Sequence, residues 1–145
     1  MDAREFLTLA QQLSVARTEA SWRSAVSRAY YAVFHVAKRL LEDLGFAVPR
    51  ADRAHAYLWL RPANCGDAQV EQAGSELNEL RRDRNWADYD IRRPMRQIVI
   101  QQQLPIATRI IQVFEAAAIE PTRTTITDAM KIYERDVLHD VTWHP

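Results

Sequence analysis

Residues 20–44 form a run of 25 positions that contains neither glycine nor proline, and Gly45 follows it directly. Apolar side chains recur along this run at spacings of three and four, which places them on one face of an α-helix. A helix of this length would extend about 37 Å. Gly45 stands where a glycine commonly ends a helix. The run therefore predicts one long helix, against which the remainder of a 145-residue chain must pack.

Other segments have the same helical period, and the composition gives little support to a sheet. The chain has only 3 glycines, and β-branched residues are sparse in its first two thirds. We predict further helices over residues 3–17, over 53–60 with Asp52 as N-cap, from Asp67 through the arginines at 81–84, over 95–118 with a kink or break at Pro105, and over 127–138 after a capping box at Thr125–Asp128. Thr18 and Ser21 are candidate N-caps for the long helix. The sequence therefore predicts an all-α protein.

Residues 81–90 form the densest run of charge in the chain. On a helix they divide into two stripes, one with Arg82, Trp86 and Tyr89 and the next with Arg81, Asn85 and Asp88. Three arginines occupy one turn with only Asp83 among them. Because guanidinium forks and aromatic faces together suit phosphate or nucleic acid, we interpret the run as an anion site. The alternative is a helix end at which arginines and aspartates pair with each other.

The long helix carries a polar column that differs from an ordinary solvated face. Ser24, Arg28, Tyr31 and His35 follow one another at steps of four, three and four residues. A solvated face of this length would carry mainly glutamate and lysine. Either the column faces the Arg82 stripe across a cleft, or Arg28 and Tyr31 form hydrogen bonds at a helix contact.

Composition and spacing exclude several kinds of site. The 19 basic and 19 acidic residues cancel, so a nucleic-acid site must rest on local charge rather than on net charge. The glycines are isolated, so the chain has no glycine-rich phosphate loop. The four histidines and Cys65 lack the spacing of metal ligands, and no Ser-His-Asp triad is evident. We therefore expect no metal and no cofactor.

The chain also lacks the marks of secretion and of membrane insertion. Cys65 is alone, so no intrachain disulfide can form. The first residues lack the basic start and apolar run of a signal peptide. The longest apolar stretch, 29–37, is interrupted by His35 and is too short to cross a bilayer. We expect a cytoplasmic protein.

Two segments together resemble a known family. The helix from Ser24 to Lys38, followed by the arginine stretch that ends in Ala87-Asp88-Tyr89, resembles a HEPN domain. The similarity covers about residues 3–114, and the nearest branch is the one often paired with minimal nucleotidyltransferases. His55 also resembles a histidine common in that branch. The resemblance implies an up-and-down helical bundle, usually dimeric, over residues 1–118, with residues 119–145 adding a helix and tail to the same domain.

The resemblance also implies an activity, with one departure. Active members of the family are metal-independent ribonucleases, frequently toxins or defence proteins. Their signature is an arginine, then a histidine some positions later, then a tyrosine two further on. These positions align with Arg82, Ala87 and Tyr89. Alanine cannot transfer a proton as histidine does, so the resemblance supports the fold more than the activity.

We therefore expect a site for RNA or nucleotide phosphate. Arg82 and Tyr89 are its candidate catalytic residues. The candidate binding residues are Arg28, Tyr31, Arg82, Arg84, Asp88 and Tyr89, with Ser24, His35 and His55 as further contributors. Expected partners are a second copy of the chain and a nucleotidyltransferase, in a toxin–antitoxin or defence-type pair. Two alternatives stay open: a ribonuclease toxin with a substitute acid–base such as His35, and a non-catalytic dimerising module whose polar groups form only interface hydrogen bonds.

Overall fold

The computed structural model describes residues 1–145 and contains helices but no strand. Six α-helices follow one another along the chain: α1 Arg4–Ser14, α2 Glu19–Asp43, α3 Arg53–Leu60, α4 Ala68–Tyr89, α5 Gln97–Ala117 and α6 Thr122–Tyr133. A 3₁₀ turn, Pro62–Asn64, connects α3 to α4, and a π turn, Glu134–Leu138, extends α6. The predicted all-α helical bundle is confirmed. None of the helices combines the length and the apolar composition that crossing a membrane requires.

Helix α2 lies at the centre of the bundle, because it contacts α1, α3, α4 and α5. Its alanines allow these neighbours to approach closely, and Ala25, Ala29 and Ala32 are all 0% exposed. Larger side chains such as Leu77 of α4 and Phe114 of α5 belong to the same core. Burying a side chain of that size stabilises the fold by about 1.5–3 kcal/mol. Packing on α2 therefore sets how α4 presents its remaining faces.

Side-chain caps fix the starts of α2 and α4, the two helices that carry most candidate site residues. Thr18 Oγ1 accepts a hydrogen bond from the Ser21 N–H at 3.2 Å. Asp67 Oδ1 accepts one from the Val70 N–H at 3.0 Å. After α2, Gly45 has a φ of +106°, a conformation that favours glycine. The long helix thus starts and ends within one residue of the predicted positions.

The last helix begins earlier than the sequence pattern predicts. It starts at Thr122 rather than Thr127, and the expected capping residues Thr125–Asp128 lie inside it. The reason is Glu120, whose carboxylate accepts hydrogen bonds from the backbone N–H and the hydroxyl of Thr124, at 2.7 and 2.5 Å. Because a carboxylate just before a helix satisfies its free N–H groups, Glu120 supports the earlier start.

Three further predicted details differ from the structure. Helix α1 ends at Ser14, three residues before the predicted end. Asp52 occupies the predicted N-cap position of α3, but it has helical backbone angles and makes no side-chain capping hydrogen bond. Helix α5 runs through Pro105 without a break. Proline removes one N–H donor, but the buried residues Ile100 and Ala107 continue the same packed face on both sides of it.

Arg23 of α2 holds the C-terminal end of α4. Its guanidinium donates hydrogen bonds to the carbonyl oxygens of Trp86, Ala87 and Asp90, each at 3.1 Å, and to that of Arg93. Carbonyl groups at a helix C-terminus lack helical partners and form the negative end of the helix dipole, so a cation is favoured there. Arg23 therefore fixes α4 against α2 close to the candidate site.

The chain beyond α6 folds back onto the turn that follows α2. Glu134 is 0% exposed, and its Oε2 lies 2.8 Å from Nε of the buried Arg61. Glu134 also accepts a hydrogen bond from the Thr142 N–H at 3.0 Å. The indole of Trp143 donates to the Leu44 carbonyl at 2.8 Å. We refer to these contacts of Glu134, Thr142 and Trp143 as the C-terminal clasp; the sequence pattern predicted no role for this tail.

Candidate functional site

Helices α2 and α4 run antiparallel, and their facing side chains bring the predicted polar residues together. Ser27 Oγ donates to Asp88 Oδ2 at 3.1 Å. One turn further along α2, the Tyr31 hydroxyl accepts from Arg84 Nη2 at 2.7 Å. From the first contact to the second, the residue number increases in α2 and decreases in α4, so the two helices are antiparallel. We refer to the residues that meet here, Arg28, Tyr31, Arg84, Asp88 and Tyr89, as the Tyr31 cluster.

Arg84 makes the most contacts within the Tyr31 cluster. Its Nε lies 2.9 Å from Asp88 Oδ2, an ion pair whose angle falls outside hydrogen-bond geometry. Its Nη1 donates to the Asn85 side chain at 3.0 Å, and its Nη2 lies 3.4 Å from the Tyr89 hydroxyl. Its guanidinium carbon is 5.1 Å from the centre of the Tyr31 ring. Since only 12% of its side chain is exposed, Arg84 organises the cluster from within.

Arg28 also contacts the Tyr31 ring, and it has no acidic partner. Its guanidinium carbon lies 5.2 Å from the ring centres of both Phe6 and Tyr31. The hydroxyl of Ser27, at 3.4 Å from Nη2, is its one polar contact. The Tyr31 ring therefore contacts two guanidinium groups, and only the Arg84 group is paired with a carboxylate.

His55 of α3 extends the cluster on the side of Tyr30. Its Nδ1 lies 2.6 Å from the Tyr30 hydroxyl, and the two rings stack with centres 5.7 Å apart. The His55 ring centre is 6.2 Å from that of Tyr31 and 5.1 Å from that of Phe34. Burial lowers the pKa of His55, and the positive charge of Arg84 lowers it further. The imidazole is therefore neutral at pH 7.

His35 lies on the exposed face of α2, next to the cluster. Its ring stacks on Phe6 with centres 5.7 Å apart and lies 6.4 Å from the Tyr31 ring. Burial is the main cause that lowers the pKa of His35, followed by the charges of Lys38 and Arg28. Both nearby histidines thus lie beside arginines and are neutral at pH 7.

Arg82 lies outside the Tyr31 cluster. It is exposed on α4, and its side chain forms neither a hydrogen bond nor an ion pair. Trp86, which the stripe pattern places beside Arg82, instead contacts Arg93, whose guanidinium carbon is 3.7 Å from the indole ring. Arg81 donates two hydrogen bonds to the Asn78 side chain, at 3.0 and 2.9 Å. The structure thus brings together Arg28, Tyr31, Arg84, Asp88, Tyr89, His35 and His55, and leaves Arg82 and the exposed Ser24 apart.

The position aligned with the family histidine is buried. Ala87 is 3% exposed and belongs to the core that includes Leu80. Its carbonyl oxygen accepts a hydrogen bond from Arg23 at 3.1 Å. A histidine at position 87 would need space that the contact between α2 and α4 already fills. Position 87 therefore provides no acid–base group in place of the family histidine.

The Tyr31 cluster carries more positive than negative charge. Arg28 and Arg84 contribute two cations, and Asp88, which pairs with Arg84, contributes the one carboxylate. Arg81 and Arg82 lie within a turn of Arg84 and have no ion pair. Because unpaired guanidinium groups attract anions and hydrogen-bond them in a fork, this surface suits phosphate. No three His, Cys, Asp or Glu side chains are placed to share a metal ion.

A groove of about 950 Å³ between α1, α2 and α5 borders the cluster. Phe6 and His35 line the end nearest to Arg28. Its rim has both signs of charge, since Arg4 and Arg39 lie there with three acids, Asp2, Asp43 and Glu115. A rim of mixed charge gives no preference for an anion, so the Tyr31 cluster is the better candidate for a phosphate site.

The polar columns do not predict the two aromatic residues that support the Tyr31 cluster, because neither Tyr30 nor Phe6 belongs to a polar column. Tyr30 is 1% exposed and gives its hydroxyl to His55, and Phe6 supports both Arg28 and His35. One signal for Tyr30 is present in the sequence. A tyrosine on the buried face of a helix needs a hydrogen-bond partner for its hydroxyl.

Comparison with known proteins gives one match. The family model described as the HEPN domain matches residues 2–117, which includes α1 to α5 and the whole Tyr31 cluster. The π turn and most of the C-terminal clasp lie outside the matched residues. Comparisons with curated proteins and with solved structures give no match.

Proposed function

This chain belongs to the HEPN domain family, and from that premise we propose that the Tyr31 cluster binds the phosphate groups of RNA or of a nucleotide. The family itself suggests an RNA-related or ribonuclease-like function. The observation that carries the proposal is Arg28, a half-buried guanidinium that contacts Tyr31 yet has no carboxylate. A phosphate oxygen would supply the charge-assisted partner that this group lacks.

The aromatic members of the cluster support RNA over a simple inorganic anion. Tyr89 is 73% exposed, and its hydroxyl lies 3.4 Å from Arg84 Nη2. An exposed tyrosine ring beside a cation offers a face on which an unpaired base stacks, at about 1–3 kcal/mol per base. The phosphate of a nucleotide would bind Arg28 on one side of Tyr31, and its base would stack on Tyr89 on the other side.

The test of this proposal compares Arg28→Ala with Arg39→Ala. Both variants remove one arginine from α2 that has no ion pair, so the net charge changes equally. We expect Arg28→Ala to weaken binding of a labelled single-stranded RNA of about 10 nucleotides by roughly 10- to 150-fold, since a charge-assisted hydrogen bond contributes about 1.5–3 kcal/mol. Arg39→Ala should change affinity much less. Fluorescence anisotropy gives the affinities, and equal losses in both variants would contradict the proposal.

The biological setting in this proposal is a pair with a nucleotidyltransferase, in a toxin–antitoxin or defence-type system. The support is the resemblance of the α2 and α4 segments to the HEPN branch found beside minimal nucleotidyltransferases. A homodimer is part of the same proposal. Sedimentation at roughly 50 µM would detect a dimer of modest affinity. Co-purification of the tagged chain with a nucleotidyltransferase encoded beside it tests the partnership, and a chain that elutes alone as a monomer would contradict both.

Ribonuclease activity is a second candidate function, favoured by the two histidines. His35 and His55 both lie beside the arginines of the cluster with lowered pKa values, so either has an unprotonated nitrogen at neutral pH. Cleavage of RNA in the presence of a chelator, abolished by His35→Ala, would make this the better description. We expect weak or absent cleavage, since Ala87 occupies the position of the family histidine.

A non-catalytic interaction module is the third candidate, favoured by Arg84. Its guanidinium already contacts Tyr31, Asn85, Asp88 and Tyr89 of the same chain, so its polar groups need no ligand. Under this reading Arg28→Ala would leave RNA affinity unchanged and would instead weaken self-association. The same variant therefore separates the binding proposal from the interaction proposal.

A further inference from the structure

The hydrogen bond between Tyr30 and His55 fixes which imidazole nitrogen carries the proton. Burial is the main cause that raises the pKa of Tyr30, so its phenol keeps the proton and donates it across the 2.6 Å contact. His55 Nδ1 must then be the acceptor. A neutral imidazole has one N–H, so in His55 it stands on Nε2.

The Nε2–H of His55 is free for a ligand. It has no hydrogen-bond partner in the chain, and it is not among the buried polar atoms that lack one, so it reaches the surface. The ring that carries it lies edge-on to Tyr31, with centres 6.2 Å apart and planes at 69°. The Nε2–H of His55 is therefore a donor of fixed direction at the border of the Tyr31 cluster. It comes from α3, whereas Arg28 comes from α2 and Arg84 from α4.

We propose that His55 donates its Nε2–H to a phosphate oxygen bound at the Tyr31 cluster, and that Tyr30 is the positioning residue that fixes this donor. The inference rests on the proposed function and assigns to it a third anion-binding group. A neutral donor beside the guanidinium of Arg28 would let the site distinguish a phosphate, which accepts several hydrogen bonds at once, from a singly charged anion such as chloride.

The arrangement also makes phosphate binding depend on pH. The charged and titratable groups around His55 are Arg81 and Arg84 on α4, Tyr30 and Tyr31 on α2, and Asp52 beside α3. Burial is the main cause that lowers the pKa of His55, and the charges of Arg84 and Arg81 lower it further. A bound phosphate offsets the charge of these arginines, so binding should raise the pKa. Between the free and bound pKa values, binding takes up a proton. Affinity therefore rises as pH falls through that interval, tenfold for each unit by which the pKa increases.

The first measurement follows the imidazole of His55 directly, by long-range ¹H–¹⁵N NMR of protein with ¹⁵N-labelled histidine. We expect the Nε2–H tautomer in the natural chain and a tautomer mixture in Tyr30→Phe, which loses only the hydroxyl. Addition of a single-stranded RNA of about 10 nucleotides should shift the His55 signals and raise its pKa. The exposed His144 is the internal control and should not respond.

The second measurement follows the affinity for the same RNA. His55→Leu should weaken binding about tenfold, whereas His55→Gln, which keeps an N–H donor, should lose less affinity and lose the pH dependence. His144→Gln, which removes an exposed histidine outside the cluster, is the control and should keep the pH dependence. Melting temperatures of all variants verify that each is folded.

Two results would overturn the inference, and they differ in whether the proposed function also fails. If RNA binds in a manner that depends on Arg28 while the pKa and tautomer of His55 stay the same, His55 is not a ligand donor and the proposed function survives. If the natural chain binds no RNA and its His55 signals do not respond, the inference and the proposed function both fail.

Discussion

Position 84 decides how the arginine stretch is arranged, because Arg84 lies on the face that α4 buries. Leu77, Leu80 and Ala87 are 1–3% exposed, and positions 77, 80, 84 and 87 follow one another at helical spacing. Arg84 therefore continues an apolar stripe, while Arg82 lies about 200° around the helix. The sequence contains this signal. The density of charge locates the stretch, but only the apolar stripe distinguishes the arginine that faces α2 from those that face solvent.

The two arginines should respond differently to removal. We expect Arg84→Ala to destabilise the protein by about 1–3 kcal/mol, because the Tyr31 hydroxyl loses its donor and Asp88 loses its ion pair and keeps only the hydrogen bond from Ser27. Such a loss lowers Tm by about 2–4 °C per kcal/mol in a chain of this size. Arg82→Ala should change stability by no more than about 0.5 kcal/mol, since Arg82 is exposed and unpaired. Thermal unfolding of both variants tests this, and a large loss in Arg82→Ala would contradict the structure.

Replacement of Ala87 by histidine should not restore a ribonuclease site. Ala87 of α4 is buried in the core, so the larger side chain must displace its neighbours. Overpacking of this kind costs about 1–3 kcal/mol. We expect Ala87→His to lower Tm without any gain in RNA cleavage. A variant that stays as stable as the natural chain and cleaves RNA would mean that position 87 opens to the cluster after all.

At the scale of the helices, the sequence predicts which segments are helical better than it predicts which residues of different helices are in contact. The 25-residue run and Gly45 predict α2 closely, because both its start and its end depend on local chemistry. Arg23 is different. It lies among the apolar residues of α2, and the carbonyl groups that it contacts come 63 to 70 positions later. No local pattern pairs an arginine with backbone atoms so far along the chain, so the sequence does not reveal this contact.

Removal of Arg23 should loosen the end of α4. We expect Arg23→Ala to cost about 3 kcal/mol, since several charge-assisted hydrogen bonds are lost and buried carbonyl groups remain unpaired. The variant should lose stability in the whole protein and, in addition, in the segment around the end of α4. Hydrogen exchange should therefore speed up most at the last turn of α4 and the loop that follows it. Arg17→Ala, which removes an exposed arginine nearby in the chain, is the control and should leave exchange there unchanged.

Across the whole molecule, the C-terminal clasp depends on a buried charge that the sequence does not reveal. Glu134 lies in a polar stretch that is typical of a solvated helix end. Its environment is fixed instead by Arg61, 73 positions earlier, and by the tail that returns to it at Thr142. An ion pair between residues so distant can be recognised only once the helices are packed.

The charge of Glu134 makes the clasp sensitive to acid. Burial alone would raise its pKa, but hydrogen bonds from Thr142 and Arg61 outweigh burial and lower the pKa below 4.5. Its stabilising contribution is therefore complete above pH 4.5 and is lost as pH falls through the lowered pKa. We expect Glu134→Gln to cost about 3 kcal/mol at neutral pH and progressively less towards pH 3. Thermal unfolding across this range tests the prediction, and a constant difference would contradict it.

The clasp joins Trp143 to Leu44, two residues that are 99 positions apart in the chain. Closure of so long a loop is entropically costly until the helices between them are in place, so we expect this contact to form late in folding. Contacts that are absent from the folding transition state slow unfolding and leave the folding rate nearly unchanged. The tail would then govern how long each folded molecule survives rather than how quickly it forms. A chain without its last residues should refold at the natural rate yet unfold and be degraded sooner.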